Sequence, residues 1–137
     1  MRVYISGPIT GQPDGNRAAF EAAAVMLRAA GQIPINPHDL PIWLPADVDA
    51  EELWRRHMRI DIRELVACDA VYMLPGWPAS RGARLEHHVA VELGLHVIDG
   101  DAAKQCLLRP SSDAAGFPPG ASALGGLCLA DGEGSET

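Results

Sequence analysis

The sequence predicts an α/β domain built on a parallel sheet, and three observations carry that prediction. Short apolar runs alternate with segments of helical periodicity in the order β-α-β-α-β-α-β. The third run, Asp69 to Leu74 (DAVYML), is nearly continuous in apolar residues, as in a strand covered on both faces. Size agrees, since 137 residues of which 47% are hydrophobic can bury one ordinary core.

Arg2 to Ser6 (RVYIS) is a β-branched and aromatic run closed by Gly7-Pro8, hence a strand and turn. From Asn16 to Ala30, Phe20, Ala23, Ala24 and Leu27 recur at i, i+3, i+4 and i+7, with Gly31 at the C-cap position. Gln32 to Ile35 reads as a second strand, ended by Asn36-Pro37, and a Pro-rich loop follows to Asp47. Asp49 with Glu52 approximates a capping box for a helix reaching about Ala67. After the strand Asp69 to Leu74 and the PGWPA turn, Ser80 caps a third helix ending at Gly94, and Leu95 to Ile98 forms a fourth strand. The resulting architecture is a flavodoxin- or Rossmann-like sheet of order 2-1-3-4, with room for an extra strand, flanked by helices over residues 1–99. Residues 100–137, rich in Gly, Pro, Ala and Ser and ending in DGEGSET, read as a poorly ordered tail. Leu124, Leu127 and Leu129 are its candidate docking residues.

Composition narrows the partners. With 11 basic against 18 acidic residues the net charge is −7, which disfavours a nucleic-acid polymer but not a single nucleotide. Cys68, Cys106 and Cys128 match neither a disulfide framework nor a zinc site. No run approaches the length of a membrane span, and MRVYISG lacks the features of a signal peptide. A cytoplasmic protein that needs no membrane, metal or organic cofactor is expected.

Two carboxylates occupy positions where apolar residues belong. On the second helix Trp54, Met58, Ile62 and Leu65 form the apolar stripe, and Asp61 falls inside it. On the third, Gly82, Val89, Ala90 and Leu93 share one side with Glu86, while Arg84 and His88 point away. Burying an unpaired carboxylate is costly unless it is hydrogen-bonded or protonated. One such residue alone is best explained by a loop contact or a pair with Arg59 or Arg63. Two flanking the same strand point instead to paired acids, the arrangement that glycosidic chemistry uses.

Their location agrees with this. In open α/β sheets ligands bind beyond the carboxyl ends of strands where the strand order reverses. With order 2-1-3-4 that crevice lies between GPITGQPDG and PGWPAS. The first loop lacks the GxGxxG spacing of a dinucleotide fingerprint. The second delivers Ser80 to a helix N-terminus, where capping and anion binding are both open to it.

YISGPITG at the end of strand one, DIRELVACD before strand three and SRGARLE opening helix three resemble the nucleoside 2-deoxyribosyltransferase superfamily over residues 2–98. More narrowly, the chain resembles a phage- and prophage-associated branch of that superfamily. The resemblance implies that Glu86 is the nucleophile, attacking C1′ of a (deoxy)ribose to give a covalent glycosyl-enzyme. Asp61 would protonate or orient the departing base, and Tyr4 would assist near the sugar, although a strand-one tyrosine also suits the core. Gly7 and Gly11, with Pro8, Ile9 and Thr10 between them, would bring backbone to the substrate, as would Gly82. Water as acceptor gives hydrolysis; a second base gives transfer.

Ser80, six residues before Glu86, is similar to the pattern of deoxynucleoside 5′-monophosphate N-glycosidases, whereas transferases acting on free nucleosides tend to have Asp there. Pro8 and Thr10 stand where those glycosidases have Ser and Arg, with Arg81 or Arg59 as the candidates to replace the missing cation. A nucleoside and its 5′-monophosphate therefore both stay open as substrate. The resemblance also implies a homodimer or larger homo-oligomer in which neighbouring chains complete each site.

His87 and His88 are adjacent and splay across a helix, which suits a surface or an interface better than a metal site. His38 is either a turn residue or part of the crevice, and Trp77 either stacks on a base or anchors its loop. The leading expectation is thus cleavage or transfer at an N-glycosidic bond. The alternatives are a nucleotide-binding or sensing module on the same fold and an interaction protein working through its tail.

Overall fold

The computed structural model describes residues 1–43 and 45–107. Four strands form one parallel sheet of order β2-β1-β3-β4: β1 (Arg2–Ser6), β2 (Ile33–Ile35), β3 (Ala70–Met73) and β4 (His96–Asp99). Helices α1 (Arg17–Ala29), α2 (Ala50–Val66) and α3 (Arg81–Glu92) connect them, and α4 (Gly100–Leu107) follows β4. The order 2-1-3-4 and the helical flanks are those expected; an extra strand is not present among the described residues.

Period-two alternation divides the core. Val3 and Ile5 of β1 and Ala70 and Tyr72 of β3 face Phe20, Ala23, Ala24 and Leu27 of α1. Tyr4 of β1 and Val71 and Met73 of β3 face Leu65 near the end of α2 and Ala83 and Ala90 of α3. Ser6 has the parity of Tyr4, so it points toward α2 and α3 as well. Both faces of β3 are thereby buried, which is why its sequence shows no polar alternation.

The caps are local. The Asp49 carboxylate accepts from Glu52 N at 2.8 Å and starts α2, and Ser80 Oγ accepts from Ala83 N at 3.3 Å and starts α3. The reciprocal half of the capping box does not form, because the Glu52 carboxylate takes Arg56 at 2.8 Å instead. On α3 the inward line is Ala83, Glu86 and Ala90. Leu93, expected among them, is 57% exposed because the helix ends at Glu92 and the chain turns off there.

The first residues after Asp99, read in the sequence as the start of a tail, form a helix. Asp99 Oδ1 accepts from Asp101 N at 2.9 Å and Ala102 N at 3.1 Å, capping α4, which buries Ala103 against the α1 side of the sheet. Residues 108–137, including Leu124, Leu127, Leu129 and Cys128, lie outside the described residues.

Candidate active site

A cavity of about 210 Å³ opens beyond the carboxyl ends of β1 and β3, where the strand order reverses. Gly7, Ile9 and Thr10 line it from the loop after β1, and Ser80, Gly82, Ala83 and Glu86 from the start of α3. Leu53, Trp54, His57, Met58 and Asp61 contribute from α2, with Phe20 and Pro37 closing the remaining side. A side chain at Gly7 would place its Cβ 2.7 Å from Leu74 Cβ, so glycine there lets the ends of β1 and β3 approach each other.

The two carboxylates of the helical wheels converge on this cavity. Asp61 is 7% exposed and Glu86 5%, and among the described residues neither is in an ion pair. Pairing with Arg59 or Arg63 is therefore not what holds them. Their surroundings differ. Tyr4 Oη donates to Glu86 Oε1 at 2.9 Å, and Ser6 Oγ donates to Glu86 Oε2. Asp61 Oδ1 is buried with no hydrogen-bond partner among the described residues. Two acids share a cavity, one cradled by hydroxyls and one bare.

Burial dominates the electrostatics. It pushes the Glu86 carboxyl up to about 8, with the nearby Asp61 charge pushing the same way and the Ser6 and Tyr4 hydroxyls pulling back. Burial alone raises Asp61 to about 7. Tyr4 is driven well above its ordinary value, first by burial and then by the charges of Glu86 and Asp61, so it stays a hydroxyl donor. A site of this kind holds protons at neutral pH and has an anion position already provided with donors. It can present a nucleophilic oxygen and a proton to one bound molecule.

Of the other residues singled out in the sequence, Pro8 lines a neighbouring groove that shares Thr10 and Ser80 with this cavity, and Gly11 lies outside the lining. Tyr4 does not line the cavity either; it acts on Glu86 from beneath. Trp77 is not brought to the site. Its ring stacks on His87 with centroids 4.3 Å apart, so it anchors its loop to α3. His38 is a turn residue, its Nε2 3.0 Å from Gly15 O and its ring edge-on to Phe20. Arg81 is bound to Glu51, and Arg59 is exposed on the outer side of α2.

Sequence reasoning missed Ser6, Trp54 and His57. Ser6 is 0% exposed, and its strand parity with Tyr4 was the signal available. Trp54 was assigned to the apolar stripe, whereas it borders the cavity one turn before Met58.

Among solved structures, the chain is similar to the 2-desoxiribosyltransferase from Leishmania mexicana, with 22% identity over 96% of this chain and 86% of that one and a TM-score of 0.45. No curated protein matches it. Residues 1–99, which supply every strand of the sheet and both buried carboxylates, match the model of a domain of unknown function, DUF4406, and the chain belongs to that family.

Proposed function

We propose that the protein breaks the N-glycosidic bond of a (deoxy)ribonucleoside or its 5′-monophosphate through a covalent glycosyl ester on Glu86. The observation that carries this reading is the unequal pair of buried acids on one small cavity. The resemblance of the SRGARLE and YISGPITG segments to nucleoside 2-deoxyribosyltransferases supports the same assignment.

In the first step a Glu86 oxygen attacks C1′ as the C1′–N bond breaks through an oxocarbenium-like transition state. The electron pair of the broken bond goes to the base nitrogen, and Asp61 delivers its proton to the base. Each Glu86 oxygen retains a lone pair beside the one that accepts from Tyr4 or Ser6, so attack leaves both hydroxyl contacts intact. Those contacts fix the carboxylate and stabilise its negative charge in the empty site. In the second step Asp61, now ionised, takes a proton from water or from an acceptor base as that nucleophile attacks C1′ and releases Glu86. In this reading Gly7, Ile9, Thr10, Ser80 and Gly82 of the lining would border the sugar, and Leu53, Trp54 and His57 of α2 the base. No step calls for a metal or an organic cofactor. A homo-oligomer and a cytoplasmic setting belong to the same proposal.

The test is chromatography of deoxynucleosides, ribonucleosides and their 5′-monophosphates incubated with the enzyme, with and without an acceptor base. Release of free base, or appearance of an exchanged nucleoside, is expected from at least one member. Ligand-induced thermal stabilisation with no product from any of them would instead identify a binding or sensing module.

A further inference from the structure

We infer that, on the glycosidic reading proposed above, this site selects substrates that lack a 5′-phosphate, and that the Glu51–Arg81 ion pair sets that selection. The described residues lining the cavity include two carboxyls and neither a lysine nor an arginine; His57 is the one basic side chain among them. A phosphate placed there would add negative charge beside Asp61 and Glu86 in surroundings that screen poorly. Many phosphate sites meet that repulsion with a guanidinium or ammonium, and beside two buried carboxyls a helix N-terminus with one serine hydroxyl offers less compensation.

Arg81 is placed to supply that charge, since Ser80 and Gly82 on either side of it both line the cavity. It is already engaged. Its two terminal nitrogens each donate to a Glu51 carboxylate oxygen at 3.0 Å, and its guanidinium carbon sits 3.5 Å from the centroid of the Trp54 ring. Exposed ion pairs are individually weak, but here a two-pronged contact and a ring face hold the same group. Arg84, one turn further along α3, is turned to the Pro78 carbonyl at 3.0 Å. The start of α3 thus offers a phosphate the Ser80 hydroxyl and backbone amides with no free guanidinium. Glu51 is the lock: it holds Arg81 stacked on Trp54, a wall of the cavity, while its Oε1 also lies 3.5 Å from Arg55 of α2.

The experiment measures equilibrium binding of deoxynucleosides and their 5′-monophosphates by calorimetry on the full chain carrying Glu86→Gln, which removes turnover and leaves Asp61 as the carboxyl that repels the phosphate. Nucleosides are expected to bind about tenfold tighter than the corresponding monophosphates. Adding Glu51→Gln frees Arg81 and is expected to shift that ratio about tenfold toward the monophosphate, the worth of one charge-assisted contact. Adding Arg81→Ala to that variant is expected to restore the original ratio. Tighter binding of monophosphates with Glu51 in place would overturn the selection while leaving glycosidic chemistry standing. A ratio unmoved by Glu51→Gln would overturn the role of the ion pair. Nucleoside-selective binding without release of base by the native enzyme would sink the chemistry and keep the selection; binding of neither class would remove both.

Discussion

At the scale of single residues, the site is a contrast between two carboxyls. Glu86 has two hydroxyl donors and Asp61 Oδ1 has none, and burial raises both carboxyls, Glu86 to about 8 and Asp61 to about 7. On the proposed reaction, substrate binding has to leave the shared proton on Asp61 for Glu86 to attack. Ser6→Ala removes one charge-assisted hydrogen bond, worth ~1.5–3 kcal/mol, to the carboxylate that departs in the second proposed step, and should lower kcat about ten- to a hundredfold with little change in KM. It should also move the acid limb of the pH–rate profile upward, because the lost donor had been lowering the Glu86 pKa; a simple packing defect would leave that limb in place. With Asp61 raised to about 7 and Glu86 to about 8, the pair gives up its two protons within the neutral range, as a unit. The proposed reaction needs one proton on the pair, so kcat is expected to peak between about pH 7 and 8 and fall on both sides, read from initial rates across buffers. Both acids were legible in the sequence because helical periodicity assigns a face to every position. Ser6 was passed over as the last residue of its strand, although its parity with Tyr4 turns it to the same side. Trp77 was left open between a ligand and its own loop, because nothing in WPA told whether its ring would meet a base or His87.

At the scale of elements, short-range signals located most boundaries. Asp49 and Ser80 were both visible as caps, and both carboxylate-bearing helices begin where those residues stand. Asp49→Ala should cost about 1 kcal/mol of stability, measured by urea unfolding, since it strands a backbone donor at the start of α2. The start of α4 was not legible, because Asp99 and Gly100 look like a strand end and a breaker. In the fold Asp99 is the cap, and Gly100 is required by contact: a Cβ there would lie 2.5 Å from Met73 O, a backbone atom with little room to yield. Gly100→Ala is therefore expected to destabilise by about 1–3 kcal/mol in the same assay, by forcing α4 off the end of β3. Leu93 shows where periodicity stops being informative, since the wheel extends past the point at which the helix ends.

At the scale of the molecule, the fold supports a site that works against its own stability. The ordinary pKa of the Glu86 side chain is 4.5, and burial raises it to about 8 in the folded state. Between those values the folded chain binds more protons than the unfolded one, so stability is highest at the acid end of the window and falls as pH rises through it. Asp61, raised from 3.8 to about 7, adds to the same trend. Glu86→Gln fills the same space without ionising. It should melt close to the native protein near pH 4.5 and above it past pH 8, the difference growing to a few kcal/mol, as read from thermal unfolding across that range. A variant less stable than the native chain at high pH would mean that Glu86 is held as a structural anion. Among the described residues no helix is long and apolar enough to cross a membrane.

The central claim is that Glu86 forms a bond to the sugar, and rapid acid quenching followed by peptide mass spectrometry addresses it directly. During turnover of a reactive nucleoside, the peptide containing Glu86 should gain the mass of one pentosyl group, and Glu86→Gln should abolish that gain. Base release at an undiminished rate from Glu86→Gln, or the pentosyl mass on any other peptide, would contradict the account.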